Sequence, residues 1–289
     1  MRNQNWSAIR RLVAAGLLLL FVPHVAYTNE CCAQAPALER GYLAAYNLDF
    51  DSAQQQFAAW EKAHPEDPLG PVSEAAGLLF SEFNRLGILE TQLFAKDSSF
   101  DKRKKLTPDA TLRDHFQAAL LRADALAGLK LNKDPNDADA LFAQALSNGL
   151  RADYTALIEK HNIASLGYTR DANAAAKKLL KVNPQYYDAY LATGLNDYII
   201  GSLSAPVRWF MRLGGYEGDK KAGISELKLA AEHGRFFAPF ARMLLAVTYL
   251  RDKDTRHARE LLSGLRDEFP ANPLFAREVA RIDHNHGGQ

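Results

Sequence analysis

The chain has 289 residues, 47% apolar and 24% charged, ordinary globular composition with material for one or two domains and a continuous core. Its 35 Lys and Arg stand against 34 Asp and Glu, a balance that excludes a chain-wide basic footprint for nucleic acid. Beyond residue 35 valine occurs only at Val72, Val182, Val207, Val247 and Val279 while Ala and Leu abound, which excludes a β-rich fold.

Residues 1–35 read as a secretory leader. Arg2, Arg10 and Arg11 give a positive start, and the apolar run Leu12 to Val22 is shorter than the roughly 20 residues a spanning helix needs. Pro23 ends the run. Cys31–Ala33, Ala33–Ala35 and Ala35–Ala37 each offer the small pair that precedes a cleavage site. Pro36 disfavours a cut after Ala35, so Ala33 or Ala37 is the expected end, with an uncleaved anchor as the alternative. Thr28-Asn29-Glu30 is a poor approach to a lipidated cysteine. Adjacent Cys31 and Cys32 are badly placed to bridge each other or complete a metal site. Cleavage at Ala33 or later leaves no thiol, which suits an oxidising compartment. The expected address is periplasmic or secreted, with envelope association as a variant of it.

Two stretches of the remaining chain share one spacing. Residues 34–67 carry Gly41, Ala53, Phe57, Trp60 and Pro65 at positions 8, 20, 24, 27 and 32. Residues 239–272 carry Ala246, Tyr249, Ala258, Leu262, Leu265 and Pro270 at 8, 11, 20, 24, 27 and 32. Small residues where two helices cross, an apolar residue after them and a proline opening the next turn make up the tetratricopeptide (TPR) pattern of paired helices. Pro135 and Pro184 match two further position-32 prolines, with insertions between. These are Ala95–Lys105 (ending Lys102-Arg103-Lys104-Lys105), Leu150–Arg170 and Gly201–Gly218. Thr107-Pro108 reads as a helix start, with Thr as N-cap. The expectation is an all-α, right-handed solenoid of five degenerate units, about 34–67, 68–137, 138–186, 187–238 and 239–272. A helix over 273–283 caps it and a loose tail, 284–289, follows.

Motifs that carry chemistry are missing. The sequence has no G-x-S-x-G, H-E-x-x-H, P-loop or paired C-x-x-C. Gly214-Gly215-Tyr216-Glu217-Gly218-Asp219-Lys220 lacks the Gly-Lys-Ser/Thr ending and reads as a glycine turn, with Asp219 capping the helix that starts at Lys220. His284-x-His286 reads as a solvated end rather than a metal site, and Lys102–Lys105 as a solvated loop. Asp137 and Asp139 complement a helix dipole. No general acid or base stands out, and neither a cofactor nor a metal is expected.

The run Ile199–Leu213 is different. Leu203, Val207, Phe210 and Met211 recur at helical spacing beside Trp209, with Arg208 and Arg212 between them and Pro206 starting a turn. Folding back as a plug for the concave side is the preferred expectation. The alternative is an interaction segment for a membrane surface or a partner groove, formed by Pro206, Arg208, Trp209, Phe210, Arg212, Tyr216 and Asp219.

Ser204-Ala205-Pro206, Leu213 to Asp219, Gly223-Ile224 and Leu227 together resemble a signature of the inclusion-body-clearance proteins and their animal relatives, the tetratricopeptide repeat protein 39 family. The resemblance spans about residues 204–250. It implies a non-catalytic adaptor linked to membranes or protein homeostasis. The leader departs from it, since those proteins face the cytosol, so the fold carries over and the cellular role does not. The sequence as a whole leads to an exported, non-catalytic TPR scaffold for a protein or peptide ligand, with a membrane surface as a further point of contact and no role for nucleic acid. A periplasmic solute-binding helper of a transporter, with a small ligand enclosed by the inserted helices, is the second reading.

Overall fold

The computed structural model describes residues 37–89 and 106–286. The leader, both cysteines and Lys102–Lys105 lie outside the described residues. Among those described there is no strand, and the chain is an all-α helical-repeat solenoid.

Five helix pairs follow one another. They are α1 (Ala37–Tyr46) with α2 (Phe50–Ala63), α3 (Leu69–Arg85) with α4 (Ala110–Lys133), and α5 (Ala138–Asp153) with α6 (Asn162–Val182). Then come α7 (Tyr190–Ser202) with α9 (Lys220–His233), the short α8 (Ala205–Leu213) between them, and α10 (Ala238–Arg251) with α11 (Thr255–Glu268). A last helix, α12 (Pro273–His286), packs on α11. It runs to His286 rather than ending at 283, so part of the expected tail is helical.

Local chemistry accounts for the boundaries. Asp49, Asp109, Asp137, Asp219 and Asp254 each cap a helix by accepting from the backbone N–H three residues on, at 2.8–3.2 Å, satisfying one orphan donor of the first turn. The start of α4 is therefore two residues later than Thr107 suggested, because Asp109 supplies the stronger cap. In the first and last pairs the linking turn is the same. A left-handed residue, Leu48 or Lys253 (φ 63° in both), precedes the capping Asp. Pro65, Pro135, Pro184 and Pro270 each stand second in a four-residue turn closed by a 3.0–3.1 Å backbone hydrogen bond, the place where a fixed φ is least costly.

The crossing residues pack as the repeat requires. Ala53 and Phe57 are fully buried, and a methyl group added to Gly41 would lie 2.3 Å from the Phe57 ring. Ala246, Ala258, Leu262 and Leu265 are buried in the same way in the last pair.

The inner side of the array is not an open groove, as a simple solenoid would leave it. Tyr42 of α1 packs tilted against Phe236 and edge-on against Phe237 just before α10, and Phe142 of α5 meets the same two rings. Tyr46 donates to the Phe236 carbonyl at 3.0 Å, and Asn272 donates to the Tyr46 carbonyl at 2.8 Å. The first pair thus closes onto the last.

Candidate functional site

Two features remain once the repeat packing is accounted for. The first is α8. Its residues turn about 100° each, which sets Trp209, Leu213, Pro206, Phe210 and Val207 side by side around one face. Arg208 and Met211 lie opposite. The helix meets the body through this second face, where the Arg208 guanidinium donates to the Gly201 carbonyl at 2.8 Å. The apolar face points out: Trp209 is 64%, Phe210 70% and Leu213 68% exposed, and no residue of α8 is buried. The preferred expectation, a plug for the concave side, is thereby corrected. On that side Tyr42, Phe142, Phe236 and Phe237 pack against one another instead.

The glycine turn sets the angle of α8. The Gly215 N–H bonds the Arg212 carbonyl and the Tyr216 N–H bonds the Met211 carbonyl, with Gly215 at φ 80°. This is a Schellman ending, which needs a left-handed residue. Asp219 caps α9, and the Ala222 N–H holds its carboxyl below the usual range. Arg212 reaches Glu217 only at 4.0 Å, with both side chains exposed, so this pair contributes little. Pro206, Arg208, Trp209, Phe210 and Arg212 therefore share one helix, Asp219 is a structural cap, and Tyr216 belongs to the second feature.

That feature is an apolar cavity of about 400 Å³, within the range of small-molecule sites. The first helices of successive pairs wall it: Phe80 and Phe83 from α3, Leu146 and Leu150 from α5, Leu195 and Ile199 from α7, Phe240 and Val247 from α10. Leu166 of α6 and Tyr216 complete the side toward α8.

The polar side chains in this wall are mostly committed. Ser165 and Thr169 donate to carbonyls of their own helix, and Asn196 donates to the Glu217 carbonyl at 3.1 Å. The Asp188 carboxylate accepts the backbone N–H groups of Arg235, Phe236 and Phe237 at 2.8–3.0 Å. Asp153 differs. Among the described residues nothing bonds or pairs with its carboxylate, and burial alone pushes its pKa up to about 7. It ends α5 and is followed by one π-helical turn, Tyr154–Ile158, a local irregularity often found beside functional groups.

Sequence reasoning missed Asp153, although a signal was present. Phe142, Leu146, Leu150, Asp153 and Leu157 recur every three or four residues, so the acid interrupts an apolar helical stripe. No group of three or more His, Cys, Asp or Glu is placed to hold a metal ion, and no helix is long and apolar enough to cross a membrane, among the described residues.

No protein-family profile matches the chain, and no curated protein matches it in sequence. The resemblance of residues 204–250 thus rests on its motif alone. Among solved structures, the chain is similar to a thermophilic TPR protein of Thermus thermophilus, TTC0263. The two share 16% identity over 85% of this chain and 96% of that one, with a TM-score of 0.43. An overlap that loose transfers no residue role.

Proposed function

We propose that the chain is an exported, non-catalytic helical-repeat scaffold that works at an anionic membrane surface and docks there through α8. One observation carries this reading: α8 is strongly amphipathic yet lies inside out, with its apolar face in solvent. Burying an apolar side chain is worth ~1.5–3 kcal/mol, so an exposed Trp, Phe and Leu in one stripe need a reason. Arg212 borders the stripe with its side chain exposed and no acidic residue lies within Ala205–Leu213, the pattern of a helix lying in the interface of an anionic bilayer. The leader of residues 1–35 supports export, and mature protein beginning between Gln34 and Leu38 by mass spectrometry is the expected result.

The test is flotation with phosphatidylcholine vesicles, with and without phosphatidylglycerol. Binding should rise with the anionic lipid. The double substitution Trp209→Ser and Phe210→Ser should weaken it by roughly tenfold or more, with the melting temperature unchanged because both rings are already exposed. Absence of vesicle binding, together with capture of a protein that depends on the same two rings, would assign α8 to a protein or peptide partner instead. The second reading, a solute-binding helper enclosing a small ligand, is favoured by the cavity beside Asp153.

A further inference from the structure

We infer that the cavity is a binding site for an apolar amine, a hydrocarbon body along the wall with a single ammonium head at Asp153. The inference rests on the enclosed-ligand reading and is independent of docking through α8.

The body of the ligand follows from the wall. Phe80, Leu146, Leu195, Phe240 and Val247 present hydrocarbon from four different helices. Water gains little in such a space, since an ordered water needs roughly two to four polar partners and the hydroxyls and amide present already donate to carbonyls. An aliphatic body removes apolar surface from water without leaving a polar group unpaired.

The head follows from Asp153. It lines the cavity, it has no hydrogen-bond or ion-pair partner among the described residues, and one π-helical turn follows it. The other titratable groups in the wall are Asp188, which is held by three backbone N–H groups, and the phenol of Tyr216. No cation lines the cavity among the described residues, so a carboxylate ligand would meet two acids and no counter-charge. An alcohol would donate a hydrogen bond but leave the charge uncompensated. An ammonium group does both, and a buried charge is tolerated when it is paired and hydrogen-bonded. Burial has already raised the Asp153 carboxyl to about 7, the mark of a carboxylate lacking such a partner.

Calorimetric titration of the purified chain with dodecylamine, dodecanol and dodecanoate, each below its micellar concentration, tests this. Dodecylamine should bind once per chain and at least roughly tenfold more tightly than dodecanoate, a factor worth about 1.4 kcal/mol. Asp153→Asn should lose that advantage and keep dodecanol binding. Leu146→Trp or Ala192→Phe, each checked for helicity, should block all three by filling the space. Trp209→Ser with Phe210→Ser should change none of them. If dodecanol binds but dodecylamine gains nothing from Asp153, the head-group assignment falls while the enclosed-ligand reading stands. If no probe binds, or binding survives both blocking substitutions, both fall.

Discussion

Asp188 anchors the approach to a helix to which it does not belong. Helix α10 begins at Ala238 after Phe236 and Phe237, neither of which has a side chain able to accept from its first turn. Asp188, some 47–49 residues earlier, instead accepts the N–H groups of Arg235, Phe236 and Phe237, the three residues that lead into the helix, and ties the start of the fourth pair to the start of the fifth. Removing it strands the buried N–H groups of Phe236 and Phe237 and the half-buried one of Arg235. Asp188→Ala should therefore cost about 3 kcal/mol or more in urea unfolding, and Asp188→Asn less, because the amide oxygen keeps the two bonds now made by Oδ1. An Ala variant as stable as the parent would contradict this assignment. Asp153 gives a different signature. Its folded pKa is about 7 against 3.8 ordinarily, so between those values the folded chain holds a proton that the unfolded chain has released. Stability from this group is therefore greatest at low pH, falls as pH rises across that window, and levels off above it. Asp153→Asn should remove this slope, so its melting temperature should gain on the parent's between pH 5 and 8. Parallel curves would show that Asp153 titrates normally. Neither role was legible from composition. Each had a local trace: a helix start without a cap, and an acid in an apolar stripe.

At the scale of elements, the close contact of α7 and α9 depends on glycine. A methyl group on Gly223 would fall 2.4 Å from the Tyr198 nitrogen and 2.6 Å from the Gly194 carbonyl, and one on Gly201 would fall 2.1 Å from the Lys220 nitrogen. Backbone cannot yield as a flexible side chain does, so Gly223→Ala should cost about 2–3 kcal/mol by forcing the helices apart. Gly264→Ala is the control. It has nothing within 4 Å and lies inside α11, so it should be neutral or stabilising by up to about 1 kcal/mol. Equal losses from the two would mean that helix propensity, not the crossing, decides. The first and last helix pairs were legible because each rests on contacts within about 34 residues: small at 8 and 20, large at 24, proline at 32. The orientation of α8 was not. Its amphipathic spacing is the same whichever face meets the protein, and Arg208 turning inward to the Gly201 carbonyl decides it.

Over the whole molecule, the first pair closes onto the last, and the first helices of the second to fifth pairs wall an apolar cavity. The contacts responsible join residues 190 and 226 apart, Tyr46 with Phe236 and Asn272 with Tyr46, far beyond any repeat period, which is why the repeat spacing does not reveal the closure. Glu39 and Arg235 pair across the same seam. Helices α3, α5, α7 and α10 wall this chamber, while α8 stands outside it, with Tyr216 at the end of the same turn lining the cavity wall. A membrane-docking helix next to an apolar chamber is the arrangement the proposed function depends on. The most direct measurement is the emission of Trp209 in the leaderless chain as anionic vesicles are added, with Trp209→Phe reporting Trp60 alone. Docking through α8 predicts a blue shift carried by Trp209 and quenching by brominated lipid, both absent from the Trp209→Phe variant. Unshifted, unquenched Trp209 emission on protein that is bound to the vesicles would contradict it, because the chain would then be held there by some other surface.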